Sequence, residues 1–200
     1  MGLLDRLLNL GKREIRNAAE DALKEQAKAA SLKWYPYTFE KMPENLEELK
    51  AMRGADLKDP AIVAALCVLA LDRYSKDREA CFAMMDYLKG PEPLVPYEKQ
   101  MINNQHMDGK DYVLRSYLEG ATPENNYTPS QPLTIKPFEN PYSRENYNGG
   151  YIKIFLNSGG ADSPRYVVLR TKPSTGQWFV NQFLGLLTGI RIPKERDKWA

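Results

Sequence analysis

The chain is poor in the residues from which metal and nucleophile chemistry is built. Its 200 residues include one histidine, His106, and two cysteines, Cys67 and Cys81. Zinc ligation needs about four such side chains together, so the minimum set is missing. Both cysteines lie in apolar helical sequence and read as buried, reduced thiols. A surplus of one charge is lacking too, since 28 Lys and Arg stand against 26 Asp and Glu, for a formal charge of +2. That balance gives no general field for a polyanion, and no nucleic acid partner is expected. Long apolar runs are also absent: the longest, Ala61 to Leu71, is well short of the roughly 20 residues that span a bilayer. Met1 to Leu10 has no basic segment ahead of its leucines, so no secretory signal is read there and the cytoplasm is the expected location.

What is present suits one folded domain with an appendage. The chain is 42% hydrophobic and 27% charged, enough for a core that needs neither disulfide nor metal. From Leu3 to about Ala30, Leu4, Leu7, Leu8, Ile15, Ala18, Ala22 and Leu23 recur at helical spacing on one face. Arg6, Lys12, Arg13 and Arg16 flank its first turns. Leucines beside arginines fit a helix lying on an anionic membrane, but the favoured reading is a helix that packs on its own body or pairs with a second copy or another protein, with a free arm as the remaining alternative. The aromatic stretch Trp34, Tyr35, Pro36, Tyr37 and Phe39 then breaks the period.

Helices are predicted next. Pro43 can open one that carries Leu46, Leu49 and Met52, with Gly54 ending it. Asp59-Pro60 is a strong start for a helix apolar on most sides, as a central one would be. Its hairpin partner runs from Arg78 to Lys89 and stops at Gly90-Pro91. A further amphipathic helix covers Tyr97 to about Met107, and 112–118 reads as short helix or extended connector. The period then changes to two: Leu133 and Ile135, Ile152, Ile154 and Leu156, Val167 and Leu169, then Trp178 to Val180. Tight loops between them imply antiparallel pairing, with Lys153 and Arg170 on a partly wet face.

The predicted fold is therefore α+β, an N-terminal helical layer followed by an antiparallel β-meander of three to four strands. Residues 1–30 form an amphipathic helix, 31–42 an aromatic linker and 43–200 one domain. Within it, helices fill 43–118, the meander 132–183 and a tail 184–200, where Trp199 is expected to dock on the body.

Several of these segments occur together in a known family. Leu88-Lys89-Gly90-Pro91, the loop Gly120 to Pro129, Ser158-Gly159-Gly160-Ala161-Asp162-Ser163-Pro164-Arg165, Thr175-Gly176-Gln177-Trp178-Phe179 and Asp197-Lys198-Trp199-Ala200 resemble a bacterial family called domain of unknown function 6935. The likeness covers roughly residues 60 to 200. It implies a bacterial protein and brings no activity, cofactor or site residues. The family pattern leads one to expect proline where Lys198 stands. A fainter likeness, at the level of fold alone, is to the NTF2-like cone, whose curved sheet often encloses a pocket for a small molecule.

Candidate sites are few. Gly159 and Gly160 permit positive φ, so the loop could present an anion nest with Arg165 adding a guanidinium fork. The competing reading has the glycines build a turn while Asp162 caps local donors or pairs with Arg165. The loop does not match a Walker phosphate loop. His106 lacks a visible partner for base catalysis and reads as a helix-end residue. Tyrosines 112, 117, 127, 142, 147, 151 and 166, with Trp178, either pack the sheet or line a recognition surface. The residues carried forward are Asp162, Arg165, Trp178 and Tyr151 for a ligand or partner, and Leu4, Arg6, Leu7, Leu8 and Arg13 for a membrane or partner helix. No cofactor or metal is indicated, and a non-catalytic binding or interaction protein is the leading expectation.

Overall fold

The computed structural model describes residues 31–199. Residues 1–30, with the predicted amphipathic helix and its Leu4, Arg6, Leu7, Leu8 and Arg13, lie outside the described residues. The chain divides into two compact units, Met1–Lys33 and Trp34–Ala200, and the second is the α+β fold considered below.

Among the described residues, four helices precede most of the strands: α1 (Leu46–Ala51), α2 (Pro60–Asp72), α3 (Arg78–Lys89) and α4 (Pro96–His106). Seven strands follow or frame them: β1 (Lys33–Trp34), β2 (Tyr37–Phe39), β3 (Leu133–Ile135), β4 (Pro137–Glu139), β5 (Tyr151–Leu156), β6 (Arg165–Lys172) and β7 (Gln177–Gln182). The larger sheet has the order β1-β4-β5-β6-β7, and β2 pairs with β3 in a second, smaller one. The β4-β5, β5-β6 and β6-β7 pairs are antiparallel, as the short connections require.

The stretch expected as a linker contributes strands. Tyr37 pairs with Ile135 and Phe39 with Leu133, and the Tyr35 N–H donates to the Pro137 carbonyl at 2.9 Å in the same register. One ribbon thus runs through both small strands, interrupted where Pro36 and Pro137 lack amide hydrogens. The linker prediction looked for the 3.6 period and missed partners almost a hundred residues away.

Helix α2 is the centre of the molecule. Asp59 caps it, its carboxylate accepting from the Ala61 N–H at 2.9 Å, and Pro60 holds the first helical position. Every residue from Ala61 to Asp72 is buried, because α2 lies across β4, β5, β6 and β7 on one side and against α3 on the other. An NTF2-like sheet would enclose its pocket on this inner face. Here Ile152, Ile154, Val167, Leu169 and Val180 fill it, each at most 2% exposed. Helix α1 starts later than Pro43 suggested: Asn45 is the cap, its side chain accepting from the Glu48 N–H at 3.0 Å. An Asn side chain can supply that acceptor, whereas proline supplies none. Residues 112–118 resolve into turns with a single 3₁₀ turn at Arg115–Tyr117.

A buried ion pair joins two of the helices. Lys89 at the end of α3 reaches Glu98 in the first turn of α4 at 2.9 Å, with the side chains 6% and 13% exposed. Glu98 also accepts from the Val95 N–H at 3.1 Å, so one carboxylate caps α4 and ties it to α3. The tail ends in solvent. Trp199 is 95% exposed and does not dock on the body, its backbone N–H being held only by the neighbouring Asp197.

Candidate functional site

Strand alternation puts one set of side chains on the outer face of the larger sheet, away from α2. The register orders them in rows. Phe138, Phe155 and Tyr166 are cross-strand neighbours, as are Lys153, Val168 and Gln182, and likewise Tyr151, Arg170 and Phe179. Trp34 extends the first row onto β1, its ring 4.5 Å from that of Phe138. Phe138 to Phe155 is 5.7 Å and Phe155 to Tyr166 is 5.8 Å, so four rings run in contact across four strands. Spacings of this order are those of favourable aromatic pairs. Trp34 and Tyr166, at the two ends, are each 43% exposed.

The middle row is polar at its rim and irregular at β7. Pairing shifts between Val168 and Leu169, since Val168 faces Gln182 while Leu169 faces Val180. Asn181 is the extra residue of this bulge, a device that re-aims side chains. Grooves of about 310, 450 and 380 Å³ meet at Asn181. One is bounded by Arg170 and Phe179, one by Tyr166 and Gln182, and one by Tyr142, Tyr151 and Lys153.

Two of the cations on this face, Arg170 and Lys153, are paired with carboxylates, while Lys172 lines a groove without an ion pair among the described residues. Arg170 lies over the Tyr151 ring, 5.6 Å from its centroid, and donates to Glu92 at 3.1 Å. Lys153 reaches Glu145 at 3.3 Å. Glu92 is brought there by Gly90, whose φ of +61° turns the chain out of α3 and whose missing side chain makes room for the Phe179 ring. The hydroxyls of Tyr142, Tyr151 and Tyr166 and the amides of Asn181 and Gln182 have no hydrogen-bond partner among the described residues.

The residues picked from sequence do not converge. Tyr151 belongs to the outer face, whereas Trp178 points inward, 8% exposed, with its ring 5.7 Å from that of Tyr147 and its backbone N–H donating to the Leu57 carbonyl at 2.7 Å. Arg165 opens β6, whose other end faces Trp178 through Thr171. Its guanidinium donates to the carbonyls of Ser163, Thr188 and Gly189 at 2.9, 3.3 and 3.1 Å, pinning the chain after β7. Asp162 pairs with Arg191 and not with Arg165. Neither Gly159 nor Gly160 has positive φ, and no anion nest forms. Glycine is needed there for close approach: a Cβ on Gly159 would lie 2.0 Å from the Ala121 carbonyl oxygen, and one on Gly160 would lie 1.9 Å from the Tyr127 hydroxyl. The most distinctive loop of the sequence is a packing device.

The other candidate groups are held in the body. Cys67 and Cys81 are buried, and burial pushes both thiols up. His106 Nδ1 lies 2.8 Å from the Ile102 carbonyl and its ring is 4.6 Å from that of Tyr74. Burial lowers its pKa, opposed by the Ile102 carbonyl and by Asp111. No three His, Cys, Asp or Glu among the described residues gather into a metal-binding group. Tyr112, Tyr117 and Tyr127 are core residues, while Tyr142, Tyr151 and Tyr166 border the outer face. Asn181 and Gln182 were missed because their significance comes from the bulge, which leaves no pattern in a single strand.

No curated protein and no solved structure matches the chain. Residues 41–194, which hold the helical layer and every strand from β3 to β7, match the family described as Domain of unknown function (DUF6935), and the chain belongs to that family.

Proposed function

We propose that this domain is a non-catalytic interaction module that recognises its partner through the outer face of the larger sheet. The carrying observation is the contact row Trp34-Phe138-Phe155-Tyr166 beside the uncommitted amides of Asn181 and Gln182. Aromatic rings and arginine are the residues enriched where proteins meet, and a rim of amides and hydroxyls gives such a face direction. Trp34 and Tyr166 are the exposed members of the row, with Phe138 buried between them, and the main core lies on the other side of the sheet, against α2. His106 supports the non-catalytic reading, since its nearest hydrogen-bonding group is a backbone carbonyl of its own helix.

The test compares what three immobilised forms of the chain retain from an extract of the source cells. The wild type should retain a defined set of proteins, and Tyr166→Ala/Asn181→Ala should lose it, while Glu47→Ala on the exposed side of α1 should keep it. The reading fails if the outer-face variant retains the same set as the wild type.

A further inference from the structure

Resting on that reading, we infer that the groove bounded by Arg170 and Phe179 takes an acidic segment of the partner protein, a carboxylate beside an apolar side chain, and that Glu92 competes for the same cations. The groove, of about 310 Å³, is lined by Lys89, Arg170 and Lys172 against a single carboxylate, that of Glu92. The three cations differ in what holds them. Lys89 is spent within the fold on buried Glu98, 2.9 Å away. Arg170 gives Glu92 one hydrogen bond, from Nη1 at 3.1 Å, and its other N–H groups have no hydrogen-bond partner among the described residues. Lys172 has no ion pair there, and its neighbour across the ladder is the uncharged Gln177. Because Arg170 and Lys172 alternate onto the same face of β6, roughly 7 Å apart along the strand, both can reach one carboxylate.

Glu92 shows what the site accepts. It comes from the turn after α3, 78 residues from Arg170 in sequence, and puts a carboxylate on that guanidinium. The two side chains are 66% and 53% exposed, and an ion pair as wet as this is worth little, so an incoming carboxylate displaces Glu92 at small cost. Contact with Lys172, which Glu92 does not make, is then a net gain. The rest of the groove suits the neighbour of such an acid. Pro91 and the Phe179 ring supply apolar wall, and the Asn181 amide offers a donor and an acceptor to the backbone of an extended chain. Clustered basic side chains are a recurring means of reading acidic segments.

A nucleic acid strand is anionic too, but it spaces its phosphates along a chain and calls on a continuous track of free cations. The outer face has no such track. Lys153, on the neighbouring strand, is engaged by Glu145, and Arg165, at the far end of β6, spends its guanidinium on the carbonyls of Ser163, Thr188 and Gly189. Open positive charge is gathered at Arg170 and Lys172, a span that one or two acidic side chains cover.

The experiment titrates the full chain, labelled with ¹⁵N, with an end-blocked peptide carrying Glu-Phe-Glu between Gly-Ser flanks, with its Gln-Phe-Gln counterpart, and with an oligothymidylate. The acidic peptide should saturably shift the Asn181 side-chain amide and the backbone amides of Thr171 and Lys172, less strongly as salt is raised, and the Gln-Phe-Gln peptide should not. Lys172→Ala and Arg170→Ala should each weaken binding about three- to tenfold. Glu92→Gln removes the competitor and should strengthen it about two- to fivefold, while Glu79→Gln, at the opposite end of α3, should leave it unchanged. The inference is overturned if the acidic peptide causes no saturable shift, if the Gln-Phe-Gln peptide binds as well, or if Glu92→Gln tightens binding no more than Glu79→Gln does. It is overturned equally if the oligonucleotide moves these signals and the peptide does not. The outer face itself is judged separately, by whether Tyr166→Ala/Asn181→Ala loses the proteins that the immobilised wild type retains.

Discussion

Single atoms decide the behaviour of two residues that carry no obvious chemistry. Gly160→Ala places a methyl group on the Tyr127 hydroxyl, which itself donates to the Arg191 carbonyl at 2.7 Å. Forcing that group in is an overpacking change, expected to cost about 1–3 kcal/mol in urea unfolding, with the loss spreading to the tail that Arg191 begins. His106 sets a pH dependence. Burial holds its folded-state pKa below the ordinary value, so above about pH 6.5 both folded and unfolded forms are neutral and the group has no effect. As pH falls below that, the unfolded chain takes up the proton first and stability is lost until the folded form is protonated too. Tyr74, the Ile102 carbonyl and Asp111 are the groups bearing on the ring. Unfolding free energies at about pH 7 and about pH 5.5 should therefore diverge more in the wild type than in His106→Asn.

The helices and strands differ in how far local sequence specifies them. Helix α2 was legible because its cap, its first proline and its apolar surface are all contiguous, and α3 because Gly90-Pro91 marks its end. Strands β5, β6 and β7 followed from alternation and a glycine turn, and they appear where the period of two placed them. Strands β1 and β2 did not, since two or three residues carry no period and their partners are distant. The Lys89–Glu98 pair joins two helices that sequence treats separately. Glu98→Ala leaves an ammonium buried without its partner and removes a cap from α4. A loss of roughly 3–5 kcal/mol is expected by chemical denaturation, with Glu98→Gln losing less because it keeps an acceptor for Val95.

At the scale of the whole molecule, the two faces of the sheet answer to different demands. The inner face is closed by α2, and truncating Leu66 to alanine there should cost about 2–5 kcal/mol, as cavities in a filled core do. The outer face should behave otherwise. Asn181→Ala, on a partly exposed side chain with no partner among the described residues, should shift the unfolding midpoint by no more than about 0.5 kcal/mol equivalent while it weakens binding. A large loss of stability in that variant would make the amide a structural group instead.

Sequence by itself determined the fold class, the positions of the main helices and strands, the buried state of the thiols and the family, because each depends on contiguous residues and a regular period. It also separated the wet face, with Lys153 and Arg170, from the apolar one. Tertiary structure decided the rest. The Gly159-Gly160 loop reads from sequence as a turn, with a ligand nest as the lesser alternative, and only contact with Ala121 and Tyr127 reveals why glycine stands there. Trp178 and Tyr151 read alike, as aromatics that pack the sheet or line a surface, until register sends one inward and the other outward. The row from Trp34 to Tyr166 joins four segments spread over more than 130 residues of sequence. Their adjacency is set by strand pairing, a long-range property that no local window contains.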